Sequence, residues 1–188
     1  VRNMESYGIL DTMGLTSRIV LDANIYTMNN RAEAFWMKKG ILGDTVPLEL
    51  NAKELVHRNN KNSELTVYGY TPMMVSVQCV QKTMDHCNHA CVQYVLKDRY
   101  QTEFRGVCSC EFCYNTIYNT LPTSLLKEKE KAEKLGVKAY RLSFTTETQQ
   151  ETEKIVRAFV DVYLRGQKPD GQMQTEETTK GHFQRGVE

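Results

Sequence analysis

Apolar residues along this chain follow two kinds of spacing. Short stretches that are almost continuously apolar have the pattern of buried β-strands. Longer stretches between them repeat apolar residues every three or four positions, as on one face of a helix. The pattern predicts strands at residues 18–26, 45–50, 65–70 and 139–144, and helices at 31–39, from 51 onward, at 123–135 and at 147–164.

Residues that favour helix ends accompany these predicted helices. Asn30 precedes Glu33, and Asn51 precedes Glu54, at the spacing of a capping residue and a glutamate that reaches back to it. Residues 146–149 show the same pattern. Glycines that can end a helix follow two of the predicted helices, at positions 40 and 136.

Strand and helix thus alternate along the chain, which predicts right-handed βαβ crossovers and a parallel sheet. We therefore expect an α/β fold of repeated βα units, equivalent to half of a (β/α)8 TIM-type barrel. A half barrel leaves two unpaired sheet edges. Either the N-terminal part of the same protein or a second copy would complete the barrel. A small, doubly wound open sheet is the alternative fold.

The cysteines define an insertion in this pattern. All six lie within residues 71–119, directly after the third full strand. The predicted organisation is therefore a βα-unit domain at residues 1–165 that contains the insertion, followed by an extended tail at 166–188. The tail has few large apolar residues, and Phe183 is its expected anchor.

This density of thiols predicts a thiolate metal site. Cys110 and Cys113 form a C-x-x-C pair on one tight turn, which suits zinc or an iron–sulfur cluster. The other four cysteines are candidates for the two remaining ligand positions, and His86 and His89 are candidate replacements. Disulfides and unligated thiols are the alternatives. We expect Met73 and Met74 to pack beneath the site.

Polar residues follow several predicted strands, where ligands of α/β sheets bind. Asp22 and Glu49 are candidate catalytic carboxylates on this rim, and a metal in the insertion would face the same pocket. Arg99 is a candidate for binding a carboxylate or phosphate, although an ion pair with Asp98 is the simpler reading. The full set of expected rim residues is Arg2, Asn3, Asp22, Asn24, Glu49, Asn51, Tyr68, Tyr70, Ser143 and Thr145.

Composition excludes some functions and adds an expectation about location. The 188 residues are 40% hydrophobic with a formal net charge of +1, so nothing attracts the whole chain to nucleic acid or membrane. No apolar run approaches the ~20 residues that span a bilayer. No signal peptide is evident, so we expect a cytoplasmic protein with reduced thiols. The chain starts at Val1 rather than Met, which suggests a piece of a longer protein.

Several segments resemble the peptidase U32 (collagenase-like) family. They are Tyr-Gly-Tyr-Thr-Pro-Met-Met at 68–74, Gln-Cys at 78–79, Leu-Lys-Asp-Arg at 96–99, Phe104, Cys-Glu-Phe-Cys-Tyr-Asn-Thr-Ile-Tyr-Asn at 110–119, and the tail at 179–187. The resemblance implies the C-terminal part of a longer member with a barrel-type core. It also implies a [4Fe–4S] cluster on Cys79, Cys87, Cys110 and Cys113, with Cys91 and Cys108 as alternates.

Two functions follow from this resemblance and from the residues. The first is an enzyme domain whose cysteine site serves hydrolysis of collagen-like peptides or hydroxylation of RNA. The sequence contains neither an H-E-x-x-H nor a G-x-S-x-G motif, so the residues themselves add little to the peptidase label. The second is a structural module, in which zinc clamps the insertion to the sheet and catalysis lies in a missing N-terminal part.

Overall fold

The computed structural model describes residues 1–85, 87–168 and 177–187. Its helices are α1 Met4–Thr12, α2 Asn30–Lys38, α3 Ala52–Leu55, α4 Val80–Thr83, α5 Lys129–Lys134 and α6 Gln149–Phe159. Its strands are β1 Val20–Leu21, β2 Gly43–Thr45, β3 Ser63–Gly69, β4 Pro72–Ser76, β5 Gln93–Lys97, β6 Glu103–Ser109, β7 Tyr114–Tyr118, β8 Thr123–Ser124 and β9 Ala139–Ser143. A wider π turn, Val160–Leu164, extends α6.

The predicted parallel sheet is confirmed. Its strands run in the order β1-β2-β3-β9, and all three pairings are parallel. The short strand β8 pairs antiparallel with the carboxyl end of β3. Helices alternate with these strands, so the protein is α/β as the sequence predicted.

The insertion forms a second sheet, which the sequence did not predict. Strands β4, β7, β6 and β5 lie side by side in that order, and every pairing is antiparallel. Arg105 of β6 joins this sheet to the parallel one, because its guanidinium donates to Thr146 Oγ1 at 3.2 Å and stacks 4.8 Å from the ring of Tyr70. The insertion is therefore a small folded sheet attached at the carboxyl ends of the parallel strands.

The hydrophobic core lies on one face of the parallel sheet. Side chains of one face alternate along each strand, and the register places Leu21, Leu65 and Tyr140 on the same face. Two clusters of apolar residues cover that face. The larger joins Leu65 and Val67 to α5 and α6, and the smaller joins Leu21 to α1 and α2.

The opposite face of the sheet carries polar side chains. Thr45, Glu64 and Arg141 point to this face by the same alternation. Thr45 donates to Glu64 at 2.7 Å, and Arg141 pairs with Glu64 at 2.5 Å. Glu64 and Arg141 remain partly exposed while Thr45 is buried, so polar side chains line this face and apolar clusters cover the other.

Individual element boundaries agree in part with the sequence prediction. Strands at 65–70 and 139–144 and the helix at 31–39 are confirmed within two residues. The strand predicted at 45–50 was displaced, since β2 ends at Thr45 and Pro47 lacks the N–H that a ladder needs. The prediction of a helix at 123–135 was wrong for its first half. Strand β8 and one 3-10 turn, Leu126–Glu128, occupy those residues.

Helix caps follow the predicted chemistry with shifts of one or two residues. The Asn51 and Glu54 capping box is present. The cap of α2 is Asn29 rather than Asn30. The side chain of Asn30 instead donates to the carbonyl of His57 and accepts the N–H of Asn59. The capping box of α6 is formed by Thr148 and Glu151 instead of residues 146–149.

The described part of the tail lies against the body of the protein. Thr179 bridges to Thr123, and Phe183 is buried in the larger apolar cluster, as predicted for the tail's anchor. The remainder of the tail, residues 169–176 and 188, lies outside the described residues. Within the described ranges, no helix has both the length and the apolar composition needed to cross a membrane.

Candidate metal centre

The second sheet brings the cysteines to one of its ends. Ser76 of β4 and Cys108 of β6 both pair with Asn115 of β7, so the chain leaving β4 reaches the same end as the turn between β6 and β7. Cys79 follows the first of these points, and Cys110 and Cys113 lie in that turn. Cys87 and Cys91 come from the segment between α4 and β5.

Three of these residues form a group with metal-binding geometry. The ligand atoms of Cys87, His89 and Cys110 all lie within 4.8 Å of one another. Cys87 and His89 are exposed and Cys110 is half-buried, so an ion can reach the group from solvent. His86, the other predicted replacement ligand, lies outside the described residues.

A second pair of sulfurs lies beside this group. The Sγ atoms of Cys79 and Cys108 are 3.9 Å apart. Asn115 holds the backbone near Cys79 in place, because its amide donates to the carbonyl of Gln78 at 3.0 Å. The same side chain accepts a hydrogen bond from the hydroxyl of Tyr94 at 3.2 Å. This hydrogen bonding ties the loop after β4 to β5 and β7.

The six cysteines are free thiols. Of the four predicted ligands, the structure brings together Cys87 and Cys110, while Cys79 contacts the alternate Cys108 instead. Cys113 is exposed, and its thiol points to the carbonyl of Cys110 at 3.6 Å. The four sulfurs predicted as a single set are therefore neighbours, but they do not form one four-membered group in the structure.

The proton affinities of the thiols reflect their crowding. Burial raises the pKa of Cys110, and the nearby Cys87, Cys113, Cys91 and Cys79 raise it further. Burial also raises the pKa of Cys108 to about 11. The backbone N–H of Lys82 has the largest effect on Cys79 and lowers the pKa of its thiol. Several thiols thus lie close enough to influence one another, as ligands of one centre must.

The donor set fits a soft or borderline metal. Two thiolates and an imidazole are ordinary ligands of zinc, for which bonds of about 2.3 Å to sulfur place neighbouring ligands roughly 3.7 Å apart. The separation of up to 4.8 Å therefore requires only a small contraction. A [4Fe–4S] cluster needs four thiolates, and the thiols that surround Cys110 are numerous enough to provide them.

The predicted rim of polar residues lines a separate cleft. This cavity of about 600 Å³ lies at the carboxyl ends of the parallel strands, and its walls include Arg2, Asp22, Asn24, Tyr70, Ser143 and Thr145. All six belong to the predicted rim set. Tyr68 is buried, so it was wrongly placed on the rim, whereas Asn51 caps α3 as its spacing to Glu54 predicted. No cysteine lines the cleft, within the described residues, so the expectation that the metal would face it was wrong.

The three candidate catalytic residues do not converge. Asp22 lines the cleft, where it pairs with Arg2 at 2.9 Å and accepts the N–H of Ala23 at 2.7 Å. Glu49 and Arg99 are not part of the cleft wall. Arg99 stacks on Tyr100 at 4.7 Å in the β5–β6 turn, and Asp98 bonds the backbone of that turn rather than Arg99.

Some site features were not found from the sequence. The tail contributes Lys180 and His182 to the cleft, which depends on the docking of Phe183. Met73 and Met74 were expected beneath the metal site, but both are more than half exposed on β4. The C-x-x-C spacing was the only local signal for the thiol cluster, and it carries no information on the contact between Cys79 and Cys108.

Comparisons of this chain with protein-family models, with curated proteins and with solved structures found no match. The resemblance to the U32 family therefore remains a prediction from the sequence motifs.

Proposed function

We propose that this chain is a metal-binding domain in which the cysteine cluster at the end of the second sheet holds zinc or a [4Fe–4S] cluster. The observation that carries the proposal is the grouping of Cys87, His89 and Cys110 within 4.8 Å. Two of these residues belong to the ligand set that the family resemblance implies. Thiolate and imidazole side chains in this arrangement have no equally good structural explanation, because two of the three are exposed and none serves the apolar core.

The identity of the metal depends on the remaining ligands. Zinc is supported by His89, which supplies a nitrogen ligand together with Cys87 and Cys110. An iron–sulfur cluster is supported by Cys79 and Cys113, since both lie near enough to Cys110 to affect its pKa. Each of the four irons takes one thiolate, so the sulfurs around a cluster need not lie as close together as those around a single ion.

A structural role is the function best supported for this metal. The centre and the cleft are separate, so a metal on these ligands would clamp residues 79–91 to the turn after β6. Among its described residues, 79–85 and 87–91, that segment has only α4, four residues long, as regular structure, and structural metal sites stabilise such segments directly.

An enzymatic role is the second candidate, and the cleft is the observation that favours it. Clefts at the carboxyl ends of parallel strands are the usual ligand sites of α/β proteins. In this reading the family resemblance names the substrates, a collagen-like peptide or an RNA. When bound, an iron–sulfur cluster would supply one-electron redox chemistry for RNA hydroxylation.

The one-sided core supports the half-barrel assignment. A doubly wound sheet is covered by helices on both faces. In a barrel, helices cover only the outer face of the sheet, and side chains of the strands fill the inner face. Here the apolar clusters cover the face of Leu21 and Leu65, and the ladder of Thr45, Glu64 and Arg141 occupies the other. We assign this polar face to a barrel interior, completed by the N-terminal part of the same protein or by a second copy.

Ligand variants test the metal proposal. Zinc, iron and acid-labile sulfide are measured in the parent chain and in Cys87→Ser, Cys110→Ser and Cys91→Ser, all purified without oxygen. We expect the first two variants to lose most of the metal. Cys91→Ser is the comparison for zinc, because Cys91 is exposed like Cys87 but stands outside the three-residue group, and it should keep its zinc; loss of metal would instead place the alternate Cys91 among the ligands.

Two further variants separate the candidate metals. His89→Asn should release zinc but leave a four-thiolate cluster intact. Cys113→Ser should leave zinc bound but release a four-thiolate cluster. Circular dichroism checks that each variant remains folded. Full retention of metal by both Cys87→Ser and Cys110→Ser would show that the cluster is not a metal site.

A further inference from the structure

The outer edge of β4 is unpaired. This strand bonds β7 on one side, and no strand among the described residues bonds its other side. No charged residue occurs between Glu64 and Lys82 in the sequence. Along the edge, Met73, Met74 and Val75 are each more than half exposed, and so is Val77 just beyond it. An exposed, uncharged and apolar edge is a template for pairing with another strand.

The other edge of the same sheet has a different character. Lys97 of β5 pairs with Glu103 of β6 at 2.9 Å, and Asp98 and Arg99 follow directly. Charged residues at an edge oppose the addition of another strand. The contrast within one sheet indicates that β4, and not β5, is the edge adapted to a partner.

An apolar groove adjoins the β4 edge. It has a volume of about 280 Å³ and is lined mainly by Met74, Val80, Met84, Leu96 and Ile117. Met84 is also more than half exposed. The groove and the edge together form one apolar surface, which we name the β4 surface. It consists of residues 73–77 with Met84, and with Ile117 of the neighbouring strand β7.

We propose that the β4 surface is a dimer interface, in which β4 pairs antiparallel with β4 of a second copy. The two sheets then form one continuous sheet across a twofold axis. We infer a second copy as the partner because a twofold dimer brings the same surface of both copies into contact. The segment between Glu64 and Lys82 has no charged residue, so like charges do not repel each other there. This contact lies on the second sheet, so it differs from any pairing that completes the barrel and does not depend on the metal.

The exposed area is sufficient for a specific pair. Met73, Met74, Val75, Val77 and Met84 expose about 100 Å² of apolar surface each. Complete burial of these residues in both copies would cover about 1,000 Å² in total, which is the lower limit for a specific interface and fits a weak dimer. Backbone hydrogen bonds between the two edges add to this contact.

Sedimentation velocity over a concentration series tests the proposal on the full chain. The parent should change from 21.7 kDa to twice that mass as the concentration rises. Val75→Lys should raise the dimer dissociation constant by about tenfold or more, because it introduces a positive charge into the uncharged edge of both copies. Val95→Lys is the matched control on the opposite edge, since Val95 is 54% exposed and Val75 64%. It should not change the constant.

Hydrogen exchange supplies a second readout that needs no variant. Amides at 73–77 should gain protection with concentration, while amides at 93–97 should not. A parent chain that stays at 21.7 kDa at the highest concentration would overturn the proposal. An equal effect of Val75→Lys and Val95→Lys, or growth beyond a dimer, would overturn it as well.

Discussion

Arg58 and Asp44 form an ion pair inside the protein, with side chains that are 2% and 3% exposed. Asp44 also accepts hydrogen bonds from the hydroxyls of Thr27 and Ser63. Arg58 donates to the carbonyl of Thr27 at 2.8 Å and to Ser63 Oγ at 3.0 Å. The pair thus connects the loop after β1, strand β2 and the start of β3, and it satisfies a carboxylate that would otherwise be buried alone.

Removing the arginine should be strongly destabilising. Arg58→Ala leaves Asp44 buried without its partner, so we expect the free energy of unfolding to fall by about 3 to 5 kcal/mol. Lys97→Ala breaks the ion pair between Lys97 and Glu103. Both side chains are more than half exposed, so the free energy of unfolding should fall by less than about 1 kcal/mol. Urea unfolding measures both values. Similar small losses for the two variants would contradict a structural role for the buried pair.

The carboxylate of Glu128 should make stability depend on acid pH. Burial raises the pKa of Glu128, but hydrogen bonds and charges from Lys131 and Lys180 outweigh burial and leave it below its usual 4.5. Because the pKa of this carboxyl is lower in the folded than in the unfolded protein, its ionised form stabilises the fold. This stabilisation is complete when the pH is above the pKa of the unfolded state, and it is lost as the pH falls through the pKa of the folded state.

The test compares unfolding free energies at pH 7 and below pH 4.5. Glu128→Gln should lose less stability over this interval than the parent, because it has no carboxylate to protonate. Glu153→Gln is the control, since Glu153 pairs with Arg157 on the exposed surface of α6 and should follow the parent. An identical pH profile for the parent and Glu128→Gln would contradict the prediction.

Docking of the tail should depend on Phe183. This side chain is buried among residues of the larger apolar cluster, so Phe183→Ala should lower the free energy of unfolding by about 3 kcal/mol. It should also speed proteolytic cleavage within residues 177–187. Val187→Ala, at an exposed position of the same segment, should change stability by less than about 0.5 kcal/mol. Equal cleavage rates for the two variants would show that Phe183 does not hold the tail.

Metal removal should loosen one part of the protein selectively. Residues 79–85 and 87–91 have little regular structure of their own, so a chelator should increase hydrogen exchange there and in the turn after β6. Amides of β3, in the centre of the parallel sheet, should be unaffected. Uniform loss of protection along the chain would argue against a local clamp.

The parallel sheet was predictable because its strongest signals are local. Strand β3 alternates buried and half-buried positions from Ser63 to Val67, and α6 buries Ile155 and Phe159 at a helical spacing, so both appear in the sequence pattern. Pro47 explains locally why β2 ends early, but the start of the strand at Gly43 has a reason that is not local. Its buried Asp44 is tolerated only because Arg58 neutralises it, and a pattern of polar and apolar residues does not contain that pairing.

The second sheet was missed because two of its strands, β4 and β5, lack a buried face that would mark them. Strand β4 is exposed along most of its length, and β5 alternates exposed and half-buried residues. Their strand character comes from pairing with β7 and β6 rather than from burial. The ligand types were predictable from the thiols alone, but the contact of Cys79 with Cys108 joins residues 29 positions apart and needs the sheet to form first.

The metal content of the full chain, purified without oxygen, decides whether the cysteine cluster is a metal site. We expect either one zinc ion per chain in colourless protein, or iron and acid-labile sulfide in equal amounts in brown protein. Thiol-reactive reagents should then modify Cys87 and Cys110 only after the metal is removed. Protein with neither metal, in which both thiols react at once, would contradict the account.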